Sequence, residues 1–345
     1  MKLTHNKKIL LLIITSIVLA VGLDMAIGRS VYHPLKYLYQ ILSWASCRSF
    51  RCHLMATEAV KGQKGMVVTS HAEASRVGQE ILLSGGNAID AAVAVGYALA
   101  VVEPCCGNIG GGGFMVIQKA NGEEIFLNFR EKAPLAARPN MYLNQKGEVV
   151  PKLSTQGYLA VGVPGTVAVT YTINSLFGAK VIAKDTGFFL NNEMDDFTAK
   201  PGKANQFGLV QGQANQIEPG KQPLSSMSPT IVKKGDKVIL VTGSPGGATI
   251  PTTVVQVITN SIDYKLDIAQ AVNAPRIHYQ GLPNWVLTEP FALAPEVVPR
   301  LWEKGYRVIP FISWGAAESI LIEPETSLLL GVNDRRRVAG KAIGY

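Results

Sequence analysis

The chain has 345 residues, of which 47% are hydrophobic and 17% are charged, and its formal net charge is +8 at pH 7. This composition is ordinary for a globular protein, and the chain is long enough to bury a sizeable core. The positive charge does not predict nucleic-acid binding, because Lys and Arg are scattered, the one tight basic run is at 335–337, and no base-reading motif accompanies it.

The N-terminus has the pattern of an export signal. Lys2, Lys7 and Lys8 precede an apolar stretch at 9–23, whose length suits a signal-peptide core and is short for a membrane span. Residues 1–28 are therefore predicted to be a signal peptide or an uncleaved signal anchor that holds the protein at the membrane through 9–23. Both alternatives predict a periplasmic protein or one anchored on the outer side of the cytoplasmic membrane. Residues 29–64 show little periodicity and are interpreted as a tether.

The four cysteines give no metal-site pattern. In an exported protein Cys47 and Cys52 can pair across a short loop, whereas the neighbouring Cys105 and Cys106 would form a strained ring if joined. A metal site from Cys47, Cys52 and His53 is not expected, because the spacing lacks a second ligand pair. No metal and no cofactor are predicted.

The folded domain is predicted to begin at residue 65 with a strand at 66–70 and two helices. The first helix covers 72–83, and the second, at 88–102, is alanine-rich and mostly apolar around its circumference, so we expect it to be buried between layers. Asn87 is the predicted N-cap of the second helix. Asp90 lies in its first turn, where the helix dipole favours a carboxylate, and we interpret it as structural.

A glycine run at 110–113 is not a nucleotide-binding loop, because no Lys-Ser/Thr follows it and the next residues, 115–118, are strand-like; close backbone packing is expected instead. A strand at 124–129 then delivers Arg130 at its end. Further strands are predicted at 238–243, 318–322 and 327–332, with helices at 252–262, 268–273 and 295–304. This order predicts a layered α+β sandwich.

Two short polar clusters carry the chemistry. One is Asn-Asn-Glu-Met-Asp-Asp at 191–196, and the other is Pro-Leu-Ser-Ser-Met-Ser-Pro at 223–229, followed by Gly-Ser-Pro-Gly-Gly at 243–247. Amides, carboxylates, paired hydroxyls and a diglycine turn suit a pocket that binds a zwitterionic small molecule and stabilises an oxyanion. With Phe-Arg-Glu-Lys-Ala-Pro at 129–134 and Thr-Tyr-Thr-Ile-Asn at 170–174, the set resembles the γ-glutamyltransferase, or glutathione hydrolase, family.

The resemblance covers nearly all of 65–345 and implies both a fold and an activity. The implied fold is α+β, the four-layer αββα sandwich of the N-terminal-nucleophile hydrolases, with 65–168 similar to the large subunit and 169–345 similar to the small one. The implied activity is cleavage of the γ-glutamyl bond of compounds such as glutathione, with transfer of the group to water or amino acids.

The resemblance also assigns roles to nine residues. Arg130 would bind the α-carboxylate through its planar fork, the alternative being a surface ion pair with Glu131. The amide and carboxylates would hold the α-ammonium, the two serines would support the carboxylate end, and the diglycine N–H groups would stabilise the oxyanion. The predicted substrate-binding residues are Arg130, Asn174, Glu193, Asp196, Ser225 and Ser226, and the predicted catalytic residues are Thr172, Gly246 and Gly247. Asp195, inside the first cluster, is interpreted as a loop cap.

One segment of the family pattern is missing. Family members carry Thr-Thr-His-Phe/Tyr-Ser before the Thr-Tyr-Thr strand, and one of its threonines becomes the N-terminal nucleophile after self-cleavage. Here Pro-Gly-Thr-Val-Ala at 164–168 runs directly into Val-Thr-Tyr-Thr at 169–172. Thr172 matches a helper hydroxyl and has no free α-amine to act as its base. We therefore expect an incomplete fold, no self-processing and impaired or absent turnover, with a non-catalytic γ-glutamyl-binding or membrane-tethered interaction module as the alternative to an enzyme.

Overall fold

The computed structural model describes residues 58–164, 172–311 and 313–345. The predicted signal segment, most of the tether, Cys47 and Cys52 lie outside these ranges. Within them, no helix is both long and apolar enough to cross a membrane.

The described ranges contain twelve strands and five α-helices. In chain order the strands are β1 (Val60–Gly62), β2 (Met66–Thr69), β3 (Gly113–Gln118), β4 (Glu124–Phe129), β5 (Thr230–Lys234), β6 (Lys237–Gly243), β7 (Ile277–His278), β8 (Trp285–Thr288), β9 (Arg307–Pro310), β10 (Glu318–Ile322), β11 (Leu329–Val332) and β12 (Lys341–Gly344). The helices are α1 (Ala72–Leu83), α2 (Ala88–Val102), α3 (Ile250–Ile262), α4 (Ile268–Asn273) and α5 (Val297–Glu303). Every predicted helix and strand is present, and its ends lie within two residues of the predicted ones.

The first helical layer starts as the sequence predicts. The Asn87 side chain accepts the backbone N–H groups of Ile89 and Asp90, and the Asp90 carboxylate accepts the Asn87 N–H at 2.9 Å. This reciprocal capping box confirms that Asp90 is structural. Val95 and Leu99 of α2 pack with Val67 of β2, so the helix is buried against a sheet.

Two antiparallel sheets lie behind this layer. The pair β2–β12 is the outer one, and the inner sheet has five strands in the order β1-β11-β10-β6-β5. Helices α3 and α4 cover the far face of the five-stranded sheet, where Leu240, Val257, Val272 and Val332 form the main core cluster. The order helix, sheet, sheet, helix confirms the predicted four-layer sandwich.

Two features differ from the sequence-based expectations. Strand β1 pairs with β11, so residues 60–62, which fall in the predicted tether, belong to the folded sheet. Cys105 and Cys106 form a disulfide, although neighbouring cysteines were expected to stay unpaired. Their Cα atoms are 3.8 Å apart, the ordinary separation across a trans peptide.

Candidate functional site

All nine predicted site residues line one cavity of about 570 Å³. Its volume lies within the range of about 300–1,000 Å³ that is typical of small-molecule pockets. Strand β4 ends at Phe129 and delivers Arg130, while a short 3-10 turn, Glu193–Asp196, supplies the acidic residues. The serine pair lies in the loop before β5, and the diglycine turn lies between β6 and α3. Segments far apart in the sequence therefore meet at one site.

Arg130 is the centre of a buried ion network. Its Nη1 donates to Glu193 Oε2 at 2.7 Å, and its Nη2 donates to Asp196 Oδ2 at 2.5 Å and to the Leu224 carbonyl at 3.1 Å. Glu131 Oε2 accepts from Nη1 at 3.3 Å. The ion pair with Glu131 is therefore present, but Arg130 is only 3% exposed, so the pair is buried and not at the surface. The guanidinium and the acidic residues, which the resemblance assigned to two different groups of the ligand, the α-carboxylate and the α-ammonium, form one network.

Three carboxyl groups face one guanidinium, and this shifts their pKa values. Burial raises the pKa of Glu131 to about 7, although Arg130 opposes the shift. Burial likewise raises the pKa of Glu193 well above its ordinary value, and it raises that of Asp196. Burial lowers the pKa of Arg130, but the three carboxylates outweigh it and raise that pKa overall. Arg130 therefore stays charged, and burial favours the protonated forms of Glu131, Glu193 and Asp196.

The network keeps polar atoms that no described residue satisfies. Arg130 Nε, Glu193 Oε1 and Glu131 Oε1 are buried without a hydrogen-bond partner. Buried polar atoms without partners are costly. A ligand carboxylate would satisfy Arg130 Nε, and a ligand ammonium would satisfy Glu193 Oε1. The arrangement can therefore bind both charged groups of an amino acid.

The diglycine turn offers free donors. Gly246 and Gly247 have φ angles of 142° and 57°, which disfavour any residue with a Cβ. Ser226 Oγ donates to the Gly247 carbonyl at 2.7 Å and so fixes the turn. The backbone N–H groups of both glycines donate to no described residue, which leaves them available to an oxyanion.

The predicted threonine and asparagine stabilise one another. Thr172 Oγ1 accepts the backbone N–H of Asn174 at 3.0 Å, and Asn174 adopts a left-handed φ of 73°. Asn174 Nδ2 donates to the Asn192 carbonyl at 3.0 Å, which leaves its amide oxygen as an acceptor for a ligand. Asp195 accepts from Ser154 Oγ at 2.6 Å and does not line the cavity, as its interpretation as a loop cap requires.

Sequence reasoning missed Asn191 as a support of this site, whereas the packing role of Gly112 was expected. Asn191 Nδ2 donates to the carbonyls of Gly110 and Gly162, and its Oδ1 accepts the Glu193 N–H at 3.0 Å, so it joins three segments beneath the acidic turn. Gly112 was expected to serve backbone packing, and a Cβ there would lie 2.5 Å from the Phe129 carbonyl and 2.7 Å from the Glu131 carboxyl carbon. The only sequence signal for the role of Asn191 was its position inside the cluster at 191–196.

Glu103, Cys105 and Cys106 bring potential metal-ligand atoms together, but those atoms are already engaged. The sulfurs are joined to each other. Glu103 accepts from Ser70 Oγ and from Arg337 Nη1, the latter at 2.9 Å. A metal would have to displace all of these interactions.

The chain matches a family model described as gamma-glutamyltranspeptidase in two parts, residues 74–169 and 166–345. It is 29% identical over 560 aligned residues to the glutathione hydrolase proenzyme of Pseudomonas sp. (strain A14), with 87% of this chain and 97% of that protein covered. It is 46% identical over 212 residues to the glutathione hydrolase proenzyme of Escherichia coli (strain K12), with 61% of this chain and 36% of that protein covered.

The alignment lengths show a large internal difference. Because 87% of a 345-residue chain is about 300 residues, about 260 of the 560 aligned positions of the Pseudomonas protein have no counterpart here. The chain spans only about a third of the Escherichia coli relative.

Among solved structures, cephalosporin acylase from Bacillus halodurans superposes with a TM-score of 0.71 at 16% identity, over 83% of this chain and 97% of that one. This likeness concerns the fold alone, and it confirms the predicted fold of the N-terminal-nucleophile hydrolases.

Proposed function

Because the chain belongs to the γ-glutamyltranspeptidase family, we propose that it binds the amino-acid end of γ-glutamyl compounds such as glutathione. The convergence of all nine predicted residues on one cavity carries this proposal. The small molecule is the expected partner, and the name of the Pseudomonas and Escherichia coli relatives, glutathione hydrolase, supports that substrate class.

In this proposal the ligand replaces contacts within the ion network. Its α-carboxylate binds the guanidinium of Arg130 beside the hydroxyls of Ser225 and Ser226. Its α-ammonium lies between Glu193, Asp196 and the amide oxygen of Asn174. The ligand-free network has three carboxyl groups and one guanidinium. It therefore favours an added ammonium, because a second positive charge offsets the excess of negative charge.

The chain is proposed to bind without turnover. Gly246 and Gly247 retain the donors for an oxyanion, but Thr172 has its hydroxyl engaged by Asn174 and no free α-amine to serve as a base. The acyl carbon of the ligand would therefore lie near an oxyanion site at which no described residue has the hydroxyl and base of an attacking group.

The test is calorimetric titration with L-glutamate of the parent chain and of Arg130→Ala, Arg130→Lys and Ser225→Ala. Arg130→Ala should cost about 2–5 kcal/mol of binding free energy, because a buried carboxylate loses its cation. Arg130→Lys should recover only part of this, because it lacks the bidentate fork. Arg76→Ala, an exposed arginine outside the cavity, is the matched control and should bind like the parent.

Several outcomes contradict the proposal. Equal affinity in all variants means that the pocket does not bind the ligand as described. If the folded parent chain does not bind L-glutamate at all, the result favours the alternative of a membrane-tethered interaction module. Ser225→Ala keeps the test decisive if Arg130→Ala fails to fold, because it removes one hydroxyl and no charge. Release of a chromogenic anilide from a γ-glutamyl anilide by the parent chain would refute the absence of turnover.

A further inference from the structure

The cavity extends through the plane of the β2–β12 sheet. Gly96 and Leu99 of α2 line it on one side of that sheet, and Glu318 of β10 lines it from the five-stranded sheet on the other side. Val68 of β2 and the adjacent Ser70 line it between these two layers. A space enclosed by both neighbouring layers and bordered by a strand has the position that the next strand of the sheet would occupy.

Among the described residues, the backbone of β2 has no strand partner on the side away from β12. Tyr345 donates its backbone N–H to the Gly65 carbonyl at 3.2 Å, which sets the hydrogen-bonding phase of the antiparallel pair. Because hydrogen-bonded and non-bonded positions alternate, Val67 and Thr69 bond to β12, and the N–H and C=O of Val68 point away from it. In the described part of the chain no other strand pairs with β2. An open strand edge is a template for an added strand.

Glu318 adds an unsatisfied side chain to the wall of the cavity. Both of its carboxyl oxygens are buried, and no described residue hydrogen-bonds to either of them. Burial, reinforced by Asp334 and Glu103 and opposed by Arg337, raises the pKa of Glu318 to about 8. A mostly protonated carboxyl can donate to one backbone group and accept from another, as a neighbouring strand would require.

The sequence comparison identifies what belongs beside β2. The two parts of the family match meet at residues 166–169, a few residues before Thr172, which lines the same cavity as Val68 of β2. Thr172 is also bridged to Gly112. This chain lacks about 260 positions of the Pseudomonas protein. If those positions belong at the junction at 166–169, they connect to the fold at the cavity.

We infer that the cavity beside β2 is a slot for an extended strand supplied by a separate polypeptide that carries the family segment absent from this chain. The strand would pair with the open edge of β2 and place backbone groups next to Glu318. This contact is on the β2 side of the cavity and does not use Arg130, so glutamate titration tests the proposed ligand site independently.

The probe is a recombinant polypeptide of the Pseudomonas sp. (strain A14) relative that contains the positions without a counterpart in this chain. It is added to the full 345-residue chain, and hydrogen exchange is followed at single amides. The Val68 amide should exchange at least about tenfold more slowly with the probe, because a paired strand amide exchanges only through opening. Val67 and Thr69, already paired with β12, should change little and serve as internal controls.

Two variants separate pairing from nonspecific association. Val68→Pro removes the cavity-facing N–H and leaves the bonds to β12, so it should abolish binding of the probe. Val68→Thr keeps that N–H with a side chain of similar shape and should bind like the parent. If Val68→Pro fails to fold, the amide exchange of the parent chain decides the matter.

Three results would overturn the inference. One is unchanged exchange at Val68 with the probe in excess. Another is equal binding by a folded Val68→Pro variant. The third is protection of Val68 in the chain alone that depends on its own concentration, because a second copy of this chain would then occupy the slot.

Discussion

Replacing Arg130 by methionine should destabilise the protein strongly, because it removes the cation from three buried carboxyl groups. Arg130 and Glu193 are both at most 3% exposed, and Asp196 bonds to the same guanidinium at 2.5 Å. Methionine keeps most of the side-chain volume, so loss of charge rather than a cavity is the main effect. Breaking a buried ion pair typically costs about 3–5 kcal/mol, a large share of the about 5–15 kcal/mol that stabilises a domain.

The cost should depend on pH. The pKa of Glu131 is raised to about 7 in the folded chain, so the folded chain binds a proton at Glu131 more tightly than the unfolded chain does. The stability that this proton contributes is present below the ordinary glutamate pKa and is lost as pH rises through about 7. Without Arg130 the carboxyl pKa values rise further, so the cost of Arg130→Met should be greater at pH 8 than at pH 5.5.

Urea unfolding followed by circular dichroism at pH 5.5 and pH 8 measures both effects. Arg76→Met is the matched control, because Arg76 also contacts two glutamates but on an exposed helix surface, and it should cost little at either pH. Adding Glu193→Gln to Arg130→Met should restore part of the stability, because one uncompensated carboxylate is removed. A loss no larger than that of the control, or one that is the same at both pH values, would refute the buried network as the source of stability.

Four further outcomes are expected. Asn87→Ala should cost about 1 kcal/mol in the same unfolding assay, because the capping box is lost. Gly112→Ala should lower the melting temperature, because its Cβ would lie 2.5 Å from the Phe129 carbonyl, whereas Gly212→Ala, where φ is −95° and no atom lies within 4 Å, should cost less. A denaturing gel of purified material should show one band, and two fragments with a threonine at the new N-terminus would contradict the absence of self-processing. We propose that the protein is exported, so deletion of residues 2–23 should retain it in the cytoplasm on fractionation.

Local patterns in the sequence were enough to predict the helices, six of the twelve described strands and the layer order. Helix α2 could be delimited because its cap, its apolar composition and the Glu-Pro that ends it lie within a continuous stretch. The other six strands, β1, β5, β7, β8, β9 and β12, were missed, because runs of two to five residues carry too little periodicity, and their partners in the folded chain define them.

The candidate site also has features that the sequence predicts and features that it does not. The sequence by itself determined which residue types are available, and the order of the motifs identified the family that assigned them roles. Only the tertiary structure decided that Arg130 bonds directly to Glu193 and Asp196, that Asn191 joins three segments beneath them, and that one edge of β2 is unpaired within the described ranges. Those features depend on contacts between residues tens to hundreds of positions apart, and the charge state of a buried group depends on every neighbour that burial brings to it.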